Sequence, residues 1–145
     1  MILQTTTTSF KIELLQGVHN FGPAGDTFKI ALYTGIANLG FDTTVYTSVG
    51  EVVGNGYAEG GNTLVVSPTP TASNNASGIP TAYISFETTT WSPATFTTRA
   101  ALIYNASQGN KSVAVLDFGS DKTAAGQFQI TFPTADANSA IVRIS

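Results

Sequence analysis

The side chains in this sequence that could do chemistry are few. His19, in GVHNFGPAG, is the sole histidine. A Ser-His-Asp triad or an imidazole-bound metal would have to use it. No carboxylate follows it before Asp26, so it reads as a polar surface residue of a loop. The nine carboxylates are Glu13, Asp26, Asp42, Glu51, Glu59, Glu87, Asp117, Asp121 and Asp136. Two of them could meet across a groove as a glycosidase pair, but no spacing selects the two. Asp117, Ser120 and Asp121 could offer oxygens to calcium. The run DFGSD lacks the ligand density of an EF-hand loop and reads as a hairpin turn. There is no cysteine, which removes thiol catalysis, thiolate zinc sites and disulfides. No catalytic residue, metal site or cofactor site is assigned, and the expectation is a non-enzyme.

A glycine-rich stretch is the other chemical candidate. GEVVGNGYAEGGNTLVV, residues 50 to 66, carries five glycines. A phosphate-binding P-loop needs G-x-x-x-x-G-K-[ST] between a strand and a helix. Here no lysine follows, and the stretch runs into β-like TLVV. The dinucleotide pattern fails as well, because Glu59 stands where its third glycine would be. The remaining reading is architectural: Gly54, Gly56, Gly60 and Gly61 let the backbone fold around Tyr57, whose ring packs inward as an anchor. Gly60 or Gly61 is expected at positive φ.

Three residues stand out as interaction candidates: Trp91, Arg99 and Phe10. Trp91, the only tryptophan, could bind a sugar or a partner from an exposed position. In a small β domain a tryptophan is more often core. Arg99 lies at the mouth of an apolar strand, where it could pair with a carboxylate such as Glu87 or contact another subunit. Phe10 ends MILQTTTTSF, a segment that could reach along a neighbouring subunit and add to its sheet edge. The alternative for that segment is a frayed terminus.

The elements that must hold these residues are strands. The dominant apolar period is two. SFKIELLQ puts Phe10, Ile12 and Leu14 on one side. TFKIALYT does the same with Phe28, Ile30 and Leu32, and GQFQITFPT with Phe128, Ile130 and Phe132. These read as half-buried strands with one wet face. TAYISFE (81 to 87), FTTRAALIYNA (96 to 106), KSVAVLDFG (111 to 119) and SAIVRIS (139 to 145) are apolar on both sides and read as central strands. NTLVVSP (62 to 68) and TTVYTS (43 to 48) are shorter and weaker. NASQGNKS (105 to 112) is a hairpin connection, with Gly109 and Asn110 suited to positive φ. SPTPTASNNASGIP (67 to 80) reads as a long surface loop and GSDKTAAGQ (119 to 127) as a further connection. No 3.6-residue apolar period persists over three turns. The expected fold is all-β: one antiparallel β-sandwich, a jelly roll or similar Greek key, with eight or nine strands. Residues 1 to 25 form an N-terminal segment, an arm plus the first strand, and residues 26 to 145 form the sandwich.

Composition narrows the partners. Among 145 residues only 10% are charged, and the formal net charge is −3. The six basic residues (Lys11, Lys29, Arg99, Lys111, Lys122 and Arg143) form no stripe, which argues against nucleic acid. No apolar run approaches the ~20 residues of a membrane span, and MILQTTTTSF lacks the pattern of a signal peptide. The expectation is a protein made in a cytoplasm that engages neither membrane nor nucleic acid.

Residues 27 to 64, TFKIALYTGIANLGFDTTVYTSVGEVVGNGYAEGGNTL, carry a resemblance. They are similar to a family of small tailed-bacteriophage structural proteins, in which F-K-[IL]-A-L-Y-T leads to G-E-V or N-E-V and then G-x-G-Y-x-x-G-G. The second half resembles the same family through T-W, R-[GA]-A-L-I-Y-N, A-V-[AC]-V-L-D-F-G and F-x-[IV]-x-[FW]-P elements. The match covers most of residues 26 to 145. It implies a bacteriophage virion structural protein, in its best-fitting role a capsid decoration (cement) protein on the outer capsid surface. Its implied partners are the major capsid protein and copies of itself, as a dimer or trimer. A neck, tail or fibre component, or a carbohydrate-binding β-sandwich module, are the alternatives.

Overall fold

The computed structural model describes residues 1–145 and is all-β, with antiparallel sheets of five, three and two strands around a shared core. Ten strands occur, two of them only two residues long: β1 (Thr5–Thr6), β2 (Phe28–Tyr33), β3 (Asn62–Thr63), β4 (Thr71–Asn74), β5 (Pro80–Ile84), β6 (Thr89–Ala94), β7 (Thr97–Asn105), β8 (Lys111–Thr123), β9 (Gly126–Ile130) and β10 (Val142–Ile144). One α-helix, α1 (Thr8–Leu15), precedes β2, and a short 3-10 turn, Ala106–Gln108, joins β7 to β8. The large sheet runs β1-β8-β7-β2-β3, the second β10-β5-β4, and β6 pairs with β9.

The central strands β2, β7 and β8 are covered on both faces, and their parity shows how. Phe28, Ile30 and Leu32 of β2 share the larger core with Ala101 and Ile103 of β7 and Val113 of β8. Ile84, Trp91, Ile130 and Val142 reach that core from the smaller sheets. Ala31 and Tyr33 point the other way, into a second core with Ala100, Leu102, Tyr104 and Val115. Ala37, Leu39, Ile2 and Tyr46 close that second face. A sheet buried on both faces reads as a nearly continuous apolar run, as RAALIYN does. The wet face expected for FKIALY is absent, with Lys29 only half-buried and every other residue buried.

The strand expected at SFKIELLQ is α1. Thr7 caps it: its Oγ1 accepts from the Phe10 amide at 3.4 Å. Lys, Glu and Leu favour helix, and a helix gathers Phe10, Glu13 and Leu14 on one face at i, i+3 and i+4. That face buries Phe10 and Glu13 and leaves Ile12 and Leu15 exposed. Six alternating residues fit either period. The N-terminal arm is likewise seated on its own chain: Ile2 bridges Leu39, and Thr5 and Thr6 pair with Val115 and Ala114.

Other boundaries shift for local reasons. The expected loop at 67 to 80 contains β4, which forms a hairpin with β5. The Asn75 side chain accepts from the Ser77 and Ile79 amides in its turn. All four residues of β4 are exposed, so no alternation marks it. SAIVRIS yields a short edge strand rather than a central one, with Ile144 exposed. TTVYTS contributes an isolated bridge, Val45 to Lys111. β8 runs on through the expected connection to Thr123; between the pairs Ala100–Asp117 and Thr98–Lys122, residues 118–121 bulge out opposite Arg99.

Candidate functional site

The glycine-rich stretch builds a cradle around Glu51. Residues 50 to 52 run beside the end of β2, with the Val52 amide donating to the Leu32 carbonyl and the Thr34 amide to that of Gly50. This brings Glu51, a residue only 8% exposed, under the backside of the loop. Its Oε1 accepts from the Tyr57 hydroxyl at 2.5 Å and the Gly60 amide at 2.7 Å, and its Oε2 from the Tyr46 hydroxyl at 2.6 Å. Tyr57 in turn accepts from the Leu32 amide, and Tyr104 donates to the Gly60 carbonyl. Tyr46 stacks on Tyr104 with ring centroids 4.7 Å apart. One carboxylate thus ties the loop, β2 and β7 together. Burial, reinforced by the Glu51 charge, raises the pKa of Tyr33, Tyr46, Tyr57 and Tyr104, the last to about 12.

Tyr57 packs against the core as expected, and the loop glycines fit around it. Gly60 and Gly61 both hold positive φ, +89° and +69°. A Cβ on Gly61 would meet the Ile30 carbonyl oxygen at 1.8 Å, and one on Gly56 the Pro93 carbonyl oxygen at 1.9 Å. On Gly54 it would meet Phe96 Cβ at 2.8 Å. These glycines permit backbone-on-backbone contact. With three of its lone-pair positions occupied by protein donors, Glu51 is a structural clamp.

His19 is a core residue, contrary to the surface-loop reading. Its side chain is fully buried, with Nε2 2.7 Å from Glu13 Oε2. Its Nδ1 accepts from Asn105 Nδ2 at 3.0 Å. That amide orientation follows from its neighbours: Asn105 Nδ2 also donates to Asp26 Oδ2 and Oδ1 accepts from the Ser107 amide. In the neutral ring the proton therefore sits on Nε2 and is donated to Glu13. Lys111 donates to the other Glu13 oxygen at 3.0 Å. The pairing escaped sequence reading because Glu13 precedes the histidine and faces it only from a helix. Both ring nitrogens are occupied, so this glutamate–histidine–asparagine chain has no position for a nucleophile. Burial pushes the Asp26 pKa up, but hydrogen bonds from Asn105, the Asn20 amide and Gln108 outweigh it and leave it lowered.

The three interaction candidates separate. Trp91 is 4% exposed, among Tyr57 and Phe128, and its indole N–H has no acceptor. Phe10 is 1% exposed between α1 and the large sheet. Neither presents its ring to a partner, because both fill the larger core. Arg99 pairs with Asp117 rather than Glu87, donating from Nε at 2.9 Å across the β8 bulge. That hydrogen bond, helped by one from the Gly119 amide, lowers the Asp117 pKa. No group of three His, Cys, Asp or Glu side chains is arranged to hold a metal ion, and no helix is long and apolar enough to cross a membrane.

The outer surface carries the remaining features. Ile36, Val49 and Val53 are 86%, 77% and 96% exposed on adjoining loops, where Ala37 abuts Gly50 and Ser48 and Val53 line one depression. Comparison with protein-family models, with curated proteins and with solved structures finds no match for this chain.

Proposed function

We propose that this protein is a non-enzymatic bacteriophage virion structural protein, a capsid decoration protein that stabilises the shell by bridging major capsid subunits as a dimer or trimer. The observation that supports this reading is where the resembling motifs fall. FKIALYT forms β2, RAALIYN forms β7, AVLDFG lies in β8, and GYAEGG forms the Glu51 cradle. The resemblance therefore rests on one contiguous scaffold. Its polar residues serve that scaffold: Glu51, His19 and Asn105 are all engaged within the chain. The exposed aliphatic side chains Ile36, Val49 and Val53 offer a surface for shell contacts. Many identical attachments add up even when each is modest.

Reconstruction of intact particles is the test. Density for this fold on the outer shell is the expected result. Density only at the neck, tail or fibre would move the site within the virion, and no density would overturn the reading. The glycan-binding alternative loses its exposed aromatic, since Trp91 is buried.

A further inference from the structure

We propose that the cleft between β1, β10 and α1 is a docking site for an extended segment of another protein, one that alternates apolar and acidic residues and adds as a strand. The proposal goes beyond the virion reading, because it concerns the chemistry of the segment and not which protein carries it.

Two free sheet edges border this cleft. β1 ends the five-stranded sheet and β10 ends the three-stranded one, so each has one side without a ladder partner. Thr5, Thr6 and Ile141 line one depression of about 210 Å³. Thr6, Phe10, Leu14 and Val142 line the next, of about 390 Å³. A third, of about 180 Å³, continues over Phe21 and Ile84, sharing Leu14, Val142 and Ile144 with the second. The three form one groove along the β10 edge and past Thr6 of β1, whose outward carbonyl accepts from the Thr5 hydroxyl at 2.8 Å. Such an edge is a template for an added strand, whose backbone supplies affinity and whose alternate side chains supply specificity.

Charge selects the occupant. Arg99 pairs with Asp117, Lys111 with Glu13, and Lys122 with Ser120. The side chains of Lys11 and Arg143 make no ion pair or hydrogen bond, and both residues line the central depression. No Asp or Glu side chain lines any of the three depressions. In a chain of net charge −3, the central depression sets two cations, Lys11 and Arg143, against the single Ser145 terminal carboxylate, a net positive rim around an apolar floor. A segment with aliphatic side chains turned into the groove and carboxylates turned towards Lys11 and Arg143 complements both. A second copy of the chain fits poorly. An isologous pairing would set Lys11 and Arg143 against their own counterparts. The other sheet edges, β3 (NT), β4 (TASN), β6 (TTWSPA) and β9 (GQFQI), bring no carboxylate to meet Lys11 and Arg143.

The test titrates the isotope-labelled full chain with a capped peptide of about nine residues, alternating valine and glutamate, a usual strand length. Saturable amide shifts at Thr5, Thr6, Lys11 and Val142–Ile144 are expected. A valine–lysine peptide and the Lys11→Glu/Arg143→Glu variant should each bind at least about tenfold more weakly. N-methylation of alternate peptide amides should abolish binding, which separates strand addition from simple charge attraction. Both substituted residues are exposed, and a matching amide spectrum of the free variant confirms that it folds. Absence of saturable shifts at the cleft, or equal binding of the lysine peptide, would overturn the proposal. Self-association of the free chain through these same residues would overturn it in favour of a second copy. None of these outcomes bears on whether the protein sits on a virion.

Discussion

Glu51 and His19 show how single side chains organise this interior. Glu51 satisfies three donors at once, two of them on tyrosines contributed from either side of it in sequence. Leaving buried donors unsatisfied costs about 1–3 kcal/mol each. Glu51→Ala is therefore expected to lower unfolding free energy by about 3 kcal/mol or more in urea titrations, and Glu51→Gln by less, since one acceptor oxygen remains. A loss below about 1 kcal/mol for the alanine variant would mean that water replaces the carboxylate. His19 makes a spectroscopic prediction. Its ring nitrogen shifts should report the Nε2–H tautomer, and Asn105→Ala, which removes the donor to Nδ1, should disturb that signature. Neither role was visible in the sequence. Glu51 was one of nine scattered carboxylates, and hydrogen-bond hubs of this kind depend on loop closure, which leaves no periodic trace. The inward anchor at Tyr57 was legible, because glycines on both sides of an aromatic leave the backbone free to close over it.

At the scale of elements, legibility followed burial. Strands covered on one or both faces, such as β7 and β8, announced themselves by apolar pattern. β4, exposed along its whole length, did not. α1 was misread because Phe10, Ile12 and Leu14 satisfy period two while the helix uses Phe10, Glu13 and Leu14. The deciding features were the Thr7 cap and the burial of a glutamate, the latter stabilised only through His19 and Lys111. The glycine loop yields a ranked prediction. Gly61→Ala places Cβ on a backbone carbonyl at a positive φ and should cost well over the ~1 kcal/mol of ordinary glycine replacement. Gly60→Ala meets only the ends of Lys29 and Tyr104, and Gly78→Ala meets nothing within 4 Å. Melting temperatures should fall in that order, Gly61 furthest. An unchanged melting temperature for the variants at Gly60 and Gly61 would refute the architectural role of the loop.

For the molecule as a whole, pH offers a test of the tyrosine cluster. Tyr33, Tyr46, Tyr57 and Tyr104 hold their protons more tightly folded than unfolded. Above their ordinary value of 10.0 the unfolded chain loses protons first, so the folded state binds more protons and stability falls as pH rises. Denaturation midpoints should hold steady below that point and drop above it, with phenolate absorbance appearing together with unfolding rather than before it. Asp26 and Asp117 act in the opposite sense. Their folded pKa values lie below the ordinary 3.8, so the stability they contribute is present above that value and fades as pH falls through the lowered ones. The all-β class was readable from alternation and turn residues. The division into three sheets was not, since it depends on which edges meet rather than on any one strand.

The pairing of Thr5 with Val115 has a consequence for how the chain is born. Thr5 leaves the ribosome before the strand it lies against, which is synthesised 110 positions later. At about 5–20 residues per second, that is a delay on the order of 5–20 s. Throughout it β1 lacks its ladder partner, while Ile2 and Phe10 can already meet Leu39 and Phe21. At β1 the order of synthesis therefore opposes the order of assembly, since its ladder closes only when β8 emerges.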